Sequence, residues 1–360
     1  MNLFKIVQKK TDKSNRKNRP YRDVGTVLLF VFLLPYVISF LWGHVGEETE
    51  KVFGSSEKEG SLIDKKYDVI LEGDWGSRTL SMQEYLIRKL KIVMGEEGAS
   101  YELEALKAQA VLLRTQLWAL FSNAGVDLNS ETSVTIQDDI SMYNTEVHSK
   151  YSVDSDNIQN KSATISEGTS ESLYEKAVCE TDGIYLSYDN QPVKAAFFPL
   201  SNGYTRDASQ VWENISYPYL VSVECSKDIM SGDYQSQVIV SKDEYCRIVE
   251  KIYGDDETIK NKLNNEWDDM EFTYDTAGYV IEVKFAKASC SGERFRSEFG
   301  LNSASFQAEW NEDEVIFHVK GMGHGFGMSQ YGANERAISG ESFEQILKYY
   351  FFQTELAKIE

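Results

Sequence analysis

The chain has 360 residues, with 37 Lys or Arg against 57 Asp or Glu and a formal net charge of −20 at pH 7. The charge is uneven: residues 1–23 hold eight basic and two acidic residues, whereas 29 basic residues face 55 acidic ones from residue 24 on. A body this acidic repels nucleic-acid phosphates and anionic lipid headgroups, so we exclude a nucleic-acid-binding body.

An uncharged stretch of 20 residues, 24–43, follows the basic tail. Its length matches the roughly 20 residues that span a bilayer core, and the basic flank predicts a cytoplasmic N-terminus. A cleaved signal peptide is the alternative, but its apolar core would be only about 7–15 residues long. We expect a cytoplasmic tail at 1–23, an uncleaved transmembrane anchor at 24–43, a polar flexible tether at 44–66 and a body outside the cell membrane.

The body, 67–360, is predicted to be one domain in which strands and helices alternate irregularly, which indicates an α+β (mixed) fold. Period-two patterns predict strands at 67–71, 77–81, 184–189, 193–198, 271–276, 279–286, 304–310 and 314–320. Helical spacing predicts helices at 82–94, 103–121, 170–181, 241–254 and 342–351. The polar residues 126–165 are expected to form long loops.

Cysteine and histidine spacing gives little sign of a metal. Cys179, Cys225, Cys246 and Cys290 form no CxxC pair, and either three alternative disulfide pairings or free thiols fit them. His324 could bind a metal, but the other histidines do not stand at ligand spacing from it. We predict no metal and no cofactor.

Three stretches are candidates for chemistry. In GEEGASYELEALKAQAVLLRT (95–115), Glu96 and Glu97 lie in a break between two helices, where desolvation would raise a carboxyl pKa. Arg114 in the following helix fits either substrate binding or a structural ion pair. Surface glutamate pairs are common, so the pattern alone is weak.

The second stretch, AAFFPLSNGYTRDASQVW (195–212), runs from a strand into a turn with Ser201, Asn202 and Tyr204. Hydroxyl, amide and aromatic groups are those that bind sugars, although an ordinary polar turn has the same composition.

The third stretch, GMGHGFGMSQYGA (321–333), is rich in glycine around His324. It lacks the Lys-Ser/Thr of a phosphate-binding loop and the spacing of a dinucleotide-binding motif. The glycines would let the backbone approach a ligand closely or adopt positive φ.

GHGFGMSQYGA closely resembles the C-terminal signature of the stage II sporulation protein D family. GERFRSEFGLNSASF (292–306), SNGYT with the later VW, and EALKAQAVLLRT resemble further motifs of that family, so the similarity covers about 67–352. The resemblance implies a lytic transglycosylase that cleaves peptide-stripped peptidoglycan glycan strands to 1,6-anhydromuramyl products during engulfment in endospore formation.

The family's catalytic glutamate lies eight residues before the first residue of EALKAQA, which corresponds to Glu96 here. The Met-Pro that usually follows it is replaced by Glu97-Gly98, so Glu97 is a rival. The substrate-binding residues are then expected to be Arg114, Ser201, Asn202, Tyr204, Gly323, His324, Gly325, Ser329, Gln330 and Tyr331, around a glycan-binding cleft. The alternative for 321–332 is a purely structural packing motif.

The resemblance also implies a companion cell-wall amidase, a multi-span membrane partner and, in a sporulating cell, a place on the mother-cell engulfing membrane. Some family members hold zinc in the segment after the long helix, but 132–149 here has one His and no Cys. A non-catalytic glycan-binding scaffold that recruits or activates the amidase, and a wall hydrolase unrelated to sporulation, are the competing hypotheses.

Overall fold

The computed structural model of the protein describes residues 62–73, 76–95, 101–123, 133–137, 172–212, 216–254 and 257–359. All of them belong to one compact unit of the chain, Ser61–Glu360. Glu96 and Glu97, the tail 1–23 and most of the predicted tether lie outside the described residues. The end of that tether is described: Ile63–Lys65 forms a short 3-10 helix in which Asp64 is buried.

The prediction of a transmembrane helix is contradicted. Across the ranges given above, no helix is long and apolar enough to cross a bilayer. The longest of them, Leu103–Asn123, has 21 residues but carries charged side chains that form ion pairs within the fold. The stretch 24–43 itself lies outside the described residues. The transmembrane part of the predicted fold and the single-pass membrane location are therefore not supported, whereas the mixed α and β content is observed.

The strands, numbered in chain order, are β1 (Asp68–Gly73), β2 (Gly76–Ser81), β3 (Ser133–Gln137), β4 (Ile184–Tyr188), β5 (Gln191–Pro192), β6 (Phe197–Phe198), β7 (Gln235–Ser241), β8 (Glu271–Tyr274), β9 (Val280–Phe285), β10 (Ala288–Ser291), β11 (Phe306–Trp310), β12 (Glu314–Lys320), β13 (Met328–Ser329) and β14 (Glu355–Lys358). The helices are α1 (Met82–Met94), α2 (Leu103–Asn123), α3 (Leu173–Glu180), α4 (Lys242–Tyr253), α5 (Glu257–Asn265), α6 (Gly292–Glu298), α7 (Gln330–Ile338) and α8 (Phe343–Tyr350).

The strands form small sheets of two or three strands each, in the orders β2-β1-β3, β14-β4-β5, β13-β6, β11-β12-β7 and β10-β9-β8. Most pairs are antiparallel, but β3 lies parallel to β1 and β13 lies parallel to β6. Each helix between α3 and α8 whose cap is described starts after a serine, as the N-cap preference predicts for α4 at Ser241.

Helix α2 lies between two hydrophobic clusters. Val111 and Leu112 on one side pack with β4 and α8, whereas Leu113 and Leu117 on the other pack with α1, α3 and β1. A helix that is apolar on several sides is buried, as this one is. A third cluster joins α4, α5 and α6 to the sheets β11-β12-β7 and β10-β9-β8.

Six strands, β3, β5, β7, β10, β13 and β14, fall where the sequence predicted none, and β3 and β7 are the longest of them. β3 lies within 126–165, which was predicted to be loop, and β7 precedes α4 without having been predicted. Both are held by distant partners, β1 and β12 respectively. Their register depends on pairing with residues more than sixty positions away, and a local pattern does not contain that information.

Candidate functional site

The glycine-rich stretch lies directly against the segment that carries the Ser201 turn. Met322 and Leu200 exchange backbone hydrogen bonds of 2.7 and 3.1 Å, Arg206 N donates to Gly325 O at 2.8 Å, and Met328 N donates to Ala196 O at 3.0 Å. Two motifs more than one hundred residues apart in sequence therefore form a single layer of backbone.

The glycines are needed because the loop packs closely against backbone and side-chain atoms of its neighbours. A Cβ at Gly327 would lie 2.1 Å from Ala196 O, and a Cβ at Gly323 would lie 2.8 Å from Phe198 Cβ. A Cβ at Gly325 would lie 2.8 Å from Arg206 Cδ and from Tyr279 Cζ. These contacts are all within the fold, which favours the packing interpretation of 321–332 over close passage of a glycan.

His324 is half-buried between the rings of Phe198 and Phe326, at centroid distances of 5.7 and 5.9 Å. Its Nδ1 accepts a hydrogen bond from Phe326 N at 3.1 Å, and its ring also bonds to the Phe197 backbone. Desolvation, with Arg296 and Arg206 nearby, lowers the pKa of His324 to about 3. The ring is therefore neutral at physiological pH, and its polar atoms are used internally.

The buried side chain of Arg206 stabilises the glycine-rich stretch 321–333. Its buried guanidinium donates to Asp275 at 2.6 Å, to Glu293 at 2.9 Å and to the His324 carbonyl at 3.3 Å. It also lies 4.7 Å from the centre of the Phe326 ring. A buried charge that is paired and hydrogen-bonded in this way fixes the loop conformation.

Most polar groups of the predicted sugar-binding turn form hydrogen bonds within the protein. Ser201 is buried and its N–H donates to Asp228 at 2.8 Å. The Asn202 side-chain amide donates to Ala277 O and Ser305 Oγ, both at 2.8 Å. Tyr204 is 50% exposed, so of these three predicted residues it presents the most surface to solvent.

Ser329 and Gln330 are buried at the start of α7. Ser329 Oγ donates to Asp228 Oδ2 at 2.5 Å and accepts from Gly332 N, which caps the helix. The Gln330 amide donates to Val93 O at 3.2 Å, to Met94 Sδ at 3.2 Å and to Gln109 Oε1 at 3.3 Å. Gln330 therefore joins α7 to the last residues of α1 and to α2.

Hydrogen bonds also fix the described residues on either side of the glutamate pair. Tyr174 OH donates to Gly95 O at 2.5 Å, and Glu102 N donates to Asn334 Oδ1 at 2.8 Å. Asn334 stands four residues after Gln330 and shares its side of α7. Glu96 and Glu97 themselves lie outside the described residues, but Gly95, which precedes them in the chain, is next to the Gln330 contacts.

Arg114 forms the structural ion pair that the sequence left open as an alternative. It is fully buried and donates to Asp64 at 2.6 Å, to the Val178 carbonyl at 3.2 Å and to the Ile184 carbonyl at 3.1 Å. The side chain fastens the 3-10 helix before β1 to α2, α3 and β4. A side chain as enclosed as that of Arg114 cannot contact a substrate directly.

Most of EALKAQAVLLRT also makes structural contacts. Glu104 accepts from the Phe343 N–H at 2.8 Å, at the start of α8, and pairs with Lys107 at 2.8 Å. Thr115 Oγ1 accepts from Leu186 N at 2.9 Å. This motif connects the surrounding elements to α2. Its contacts in the fold account for these residues without a role in catalysis.

Of the predicted substrate-binding residues, Tyr204, His324, Tyr331 and Asn202 reach the surface at least in part. Arg114, Ser201, Gly323, Gly325, Ser329 and Gln330 are buried. Sequence reasoning missed Asp228, Asn334, Gln109 and Tyr174. Two of them carried a signal: Gln109 lies in the EALKAQA motif, and Asn334 stands four residues after Gln330, which puts Asn334 and Gln330 on one helix face.

All four cysteines are free thiols, which decides between the two alternatives left by their spacing. Within the part of the chain that the structure describes, no three His, Cys, Asp or Glu side chains are grouped so as to hold a metal ion.

Comparison with known proteins agrees with the resemblance in the motifs. A family model described as stage II sporulation protein matches residues 75–188. Stage II sporulation protein D of Bacillus subtilis is 31% identical over 283 residues, which cover 78% of this chain and 76% of that protein. Its counterpart in Bacillus amyloliquefaciens is 30% identical over 284 residues, covering 78% of this chain and 75% of that protein.

A more distant relative is the amidase enhancer of Bacillus subtilis, 26% identical over 310 residues, which cover 74% of this chain and 39% of that protein. The two sporulation proteins match across about three quarters of their own length. The chain belongs to the stage II sporulation protein D family.

Proposed function

We propose that the protein is a lytic transglycosylase of endospore formation, which cleaves peptide-stripped peptidoglycan glycan strands to 1,6-anhydromuramyl products. Family membership supports a role in sporulation. One observation carries the assignment of the site: the Gln330 amide, from the glycine-rich motif, donates to Val93, Met94 and Gln109, and Met94 stands two residues before Glu96 in the chain.

The acid/base in this proposal is Glu96, with Glu97 as its rival. As an acid, the carboxyl gives its proton to the glycosidic oxygen between N-acetylmuramic acid and N-acetylglucosamine, and the C1–O bond breaks. As a base, the same carboxylate takes the proton of the muramyl C6 hydroxyl while that oxygen bonds to C1. The proton returns to the carboxyl, and no water is consumed.

A single carboxyl is enough for this chemistry, in contrast to the pair that most glycoside hydrolases use. The rest of the site then has to position the glycan and exclude water. Tyr204, His324 and Tyr331 are the candidates for contact with sugar because their side chains reach the surface. His324 would offer a neutral ring, since burial holds its pKa at about 3.

The competing function is a non-catalytic glycan-binding scaffold that activates a cell-wall amidase. The relative named amidase enhancer favours it, as does the replacement of the usual Met-Pro by Glu97-Gly98. A companion amidase that strips the stem peptides is compatible with both functions. A multi-span membrane partner is a further proposal from the family resemblance alone.

The deciding experiment incubates the full chain with peptide-free glycan strands and detects 1,6-anhydromuramyl ends by mass spectrometry. Glu96→Gln and Glu97→Gln are matched neutral variants, one position apart. Loss of anhydro ends in Glu96→Gln alone supports the assignment, and loss in Glu97→Gln alone moves the role by one residue. Reducing ends would indicate hydrolysis, whereas binding without cleavage would favour the scaffold.

A further inference from the structure

Asp228 lies outside the stretch 195–212 and outside the glycine-rich stretch 321–333, yet it contacts both. It begins a short 3-10 helix, Asp228–Met230, and its carboxyl is fully buried. One oxygen, Oδ2, accepts from Ser201 N at 2.8 Å and from Ser329 Oγ at 2.5 Å. A single atom therefore joins the Ser201 turn to the N-cap of α7.

The carboxyl is buried without a directly paired cation. No salt bridge to Asp228 occurs among the described residues, and its Oδ1 has no hydrogen-bond partner there. Burial raises the pKa of Asp228, which favours a neutral carboxyl. Its other neighbours include the Cys225 thiol, the Tyr331 and Tyr350 hydroxyls and the Glu335 carboxyl, none of them cationic, while Arg336, whose charge acts on Cys225 and Tyr350, is paired with Glu341.

Gly332 makes room for this arrangement. A Cβ at position 332 would lie 2.7 Å from Asp228 Oδ1, and the Tyr350 hydroxyl would also be in its way. The first turn of α7 thus packs directly over the carboxyl. A shift of Asp228 must move Ser329, because Ser329 Oγ both donates to Asp228 and caps the helix at Gly332 N.

We propose that Asp228 is a positioning residue: by holding Ser329 it sets the adjacent Gln330 against the end of α1, which leads in the chain through Gly95 to the proposed acid/base glutamate. This inference rests on the proposed function. Asp228 does not touch the glycan or the reacting atoms, since it is enclosed beneath the loop. Its contribution is to keep the α7 end of the site in register with Val93 and Met94.

The test compares Asp228→Ala, Asp228→Asn, Ser329→Ala and the double variant Asp228→Ala/Ser329→Ala in the full chain. Leu263→Ala, in the buried core contact of α5, serves as a control for lost stability without any contact to this site. Rates of anhydro-end formation are measured against glycan concentration and pH, at a temperature where every variant is folded.

We expect Asp228→Ala to lower kcat at least tenfold with KM little changed, and the double variant to be no slower than the slower single one. Asp228→Asn should stay within threefold of wild type, because the side-chain amide keeps the shape of the carboxyl and an oxygen that can accept from Ser201 N and Ser329 Oγ. The proposal is overturned if Asp228→Asn falls as far as Asp228→Ala, or if Asp228→Ala keeps the rate of Leu263→Ala. If the wild-type chain makes no anhydro ends, the proposed function fails. The positioning contact is then judged by melting temperatures, where additive losses from Asp228→Ala and Ser329→Ala would refute it.

Discussion

Gly327→Ala would place a methyl group where the chain has no space for one. The new Cβ would lie 2.1 Å from the Ala196 carbonyl oxygen and 2.8 Å from its carbon, both of them backbone atoms. The residue also has a φ of +73°, which a side chain disfavours. The left-handed conformation costs about 1–2 kcal/mol, and displacing the packed neighbour costs about 1–3 kcal/mol more.

We therefore expect Gly327→Ala to lower the free energy of unfolding by about 2–5 kcal/mol. The melting temperature should fall by about 2–4 °C for each kcal/mol, measured by calorimetry or circular dichroism. Gly340→Ala is the matched control: its φ is +92°, but nothing lies within 4 Å of the added Cβ. Only the conformational part, about 1–2 kcal/mol, should appear there.

Equal melting temperatures for the two alanine variants would refute the reasoning, because the backbone crossing would then not require glycine. A role in glycan passage alone predicts another pattern. In that case Gly327→Ala would be as stable as Gly340→Ala but would lose glycan binding or product formation. Measuring both quantities on the same samples separates packing from ligand access.

Four further expectations follow from the contacts described above. Arg114→Met leaves Asp64 buried without its partner and should cost about 3–5 kcal/mol in denaturant unfolding, whereas Arg88→Met, whose pair with Glu84 is half-exposed, should cost less than about 1 kcal/mol. Gln330→Ala removes the donor to Val93 O and Gln109 Oε1 and should cost about 1–3 kcal/mol, with a larger loss of activity than Leu263→Ala causes. Because the folded-state pKa of His324 is lowered to about 3, its neutral form stabilises the fold fully above the unfolded-state pKa of about 6.5, and that contribution is lost as pH falls towards 3. The melting temperature of wild type should thus fall more between pH 7 and pH 4 than that of His324→Gln, and a parallel fall would contradict the assignment. Thiol titration in denaturant should find four free cysteines, while in the folded protein Cys225 should react slowest, because burial raises its pKa to about 12.

Most polar residues of the family motifs make contacts that stabilise the fold, and few of them are available for chemistry. Gln109 Oε1, Arg114 and Thr115 each form a hydrogen bond or ion pair with a neighbouring element, and so do Ser201 and Ser329. The residues available to a ligand are fewer than the motifs suggest. A motif match therefore identifies the family reliably, but burial has to be known before any of its residues can be given a role in binding.

The sequence by itself determined the helices at 82–94 and 103–121, because helical spacing and capping residues are local properties. It also determined the family, since GHGFGMSQYGA and EALKAQAVLLRT are specific strings. Its uncharged stretch at 24–43 predicted a transmembrane helix that the described part of the fold does not support.

The tertiary structure alone decided which candidate side chains are buried. Arg114 forms an ion pair with Asp64, and the glycines of 321–327 pack against residues 196–206, although fifty to more than one hundred residues separate these partners. No sequence pattern pointed to Asp228. Its place became visible only in the structure, where Ser201 N and Ser329 Oγ both donate to one of its oxygens. The physical reason is the same in each case: burial and hydrogen-bond partners depend on contacts between distant segments, whereas periodicity and motif spacing record only what neighbouring residues do.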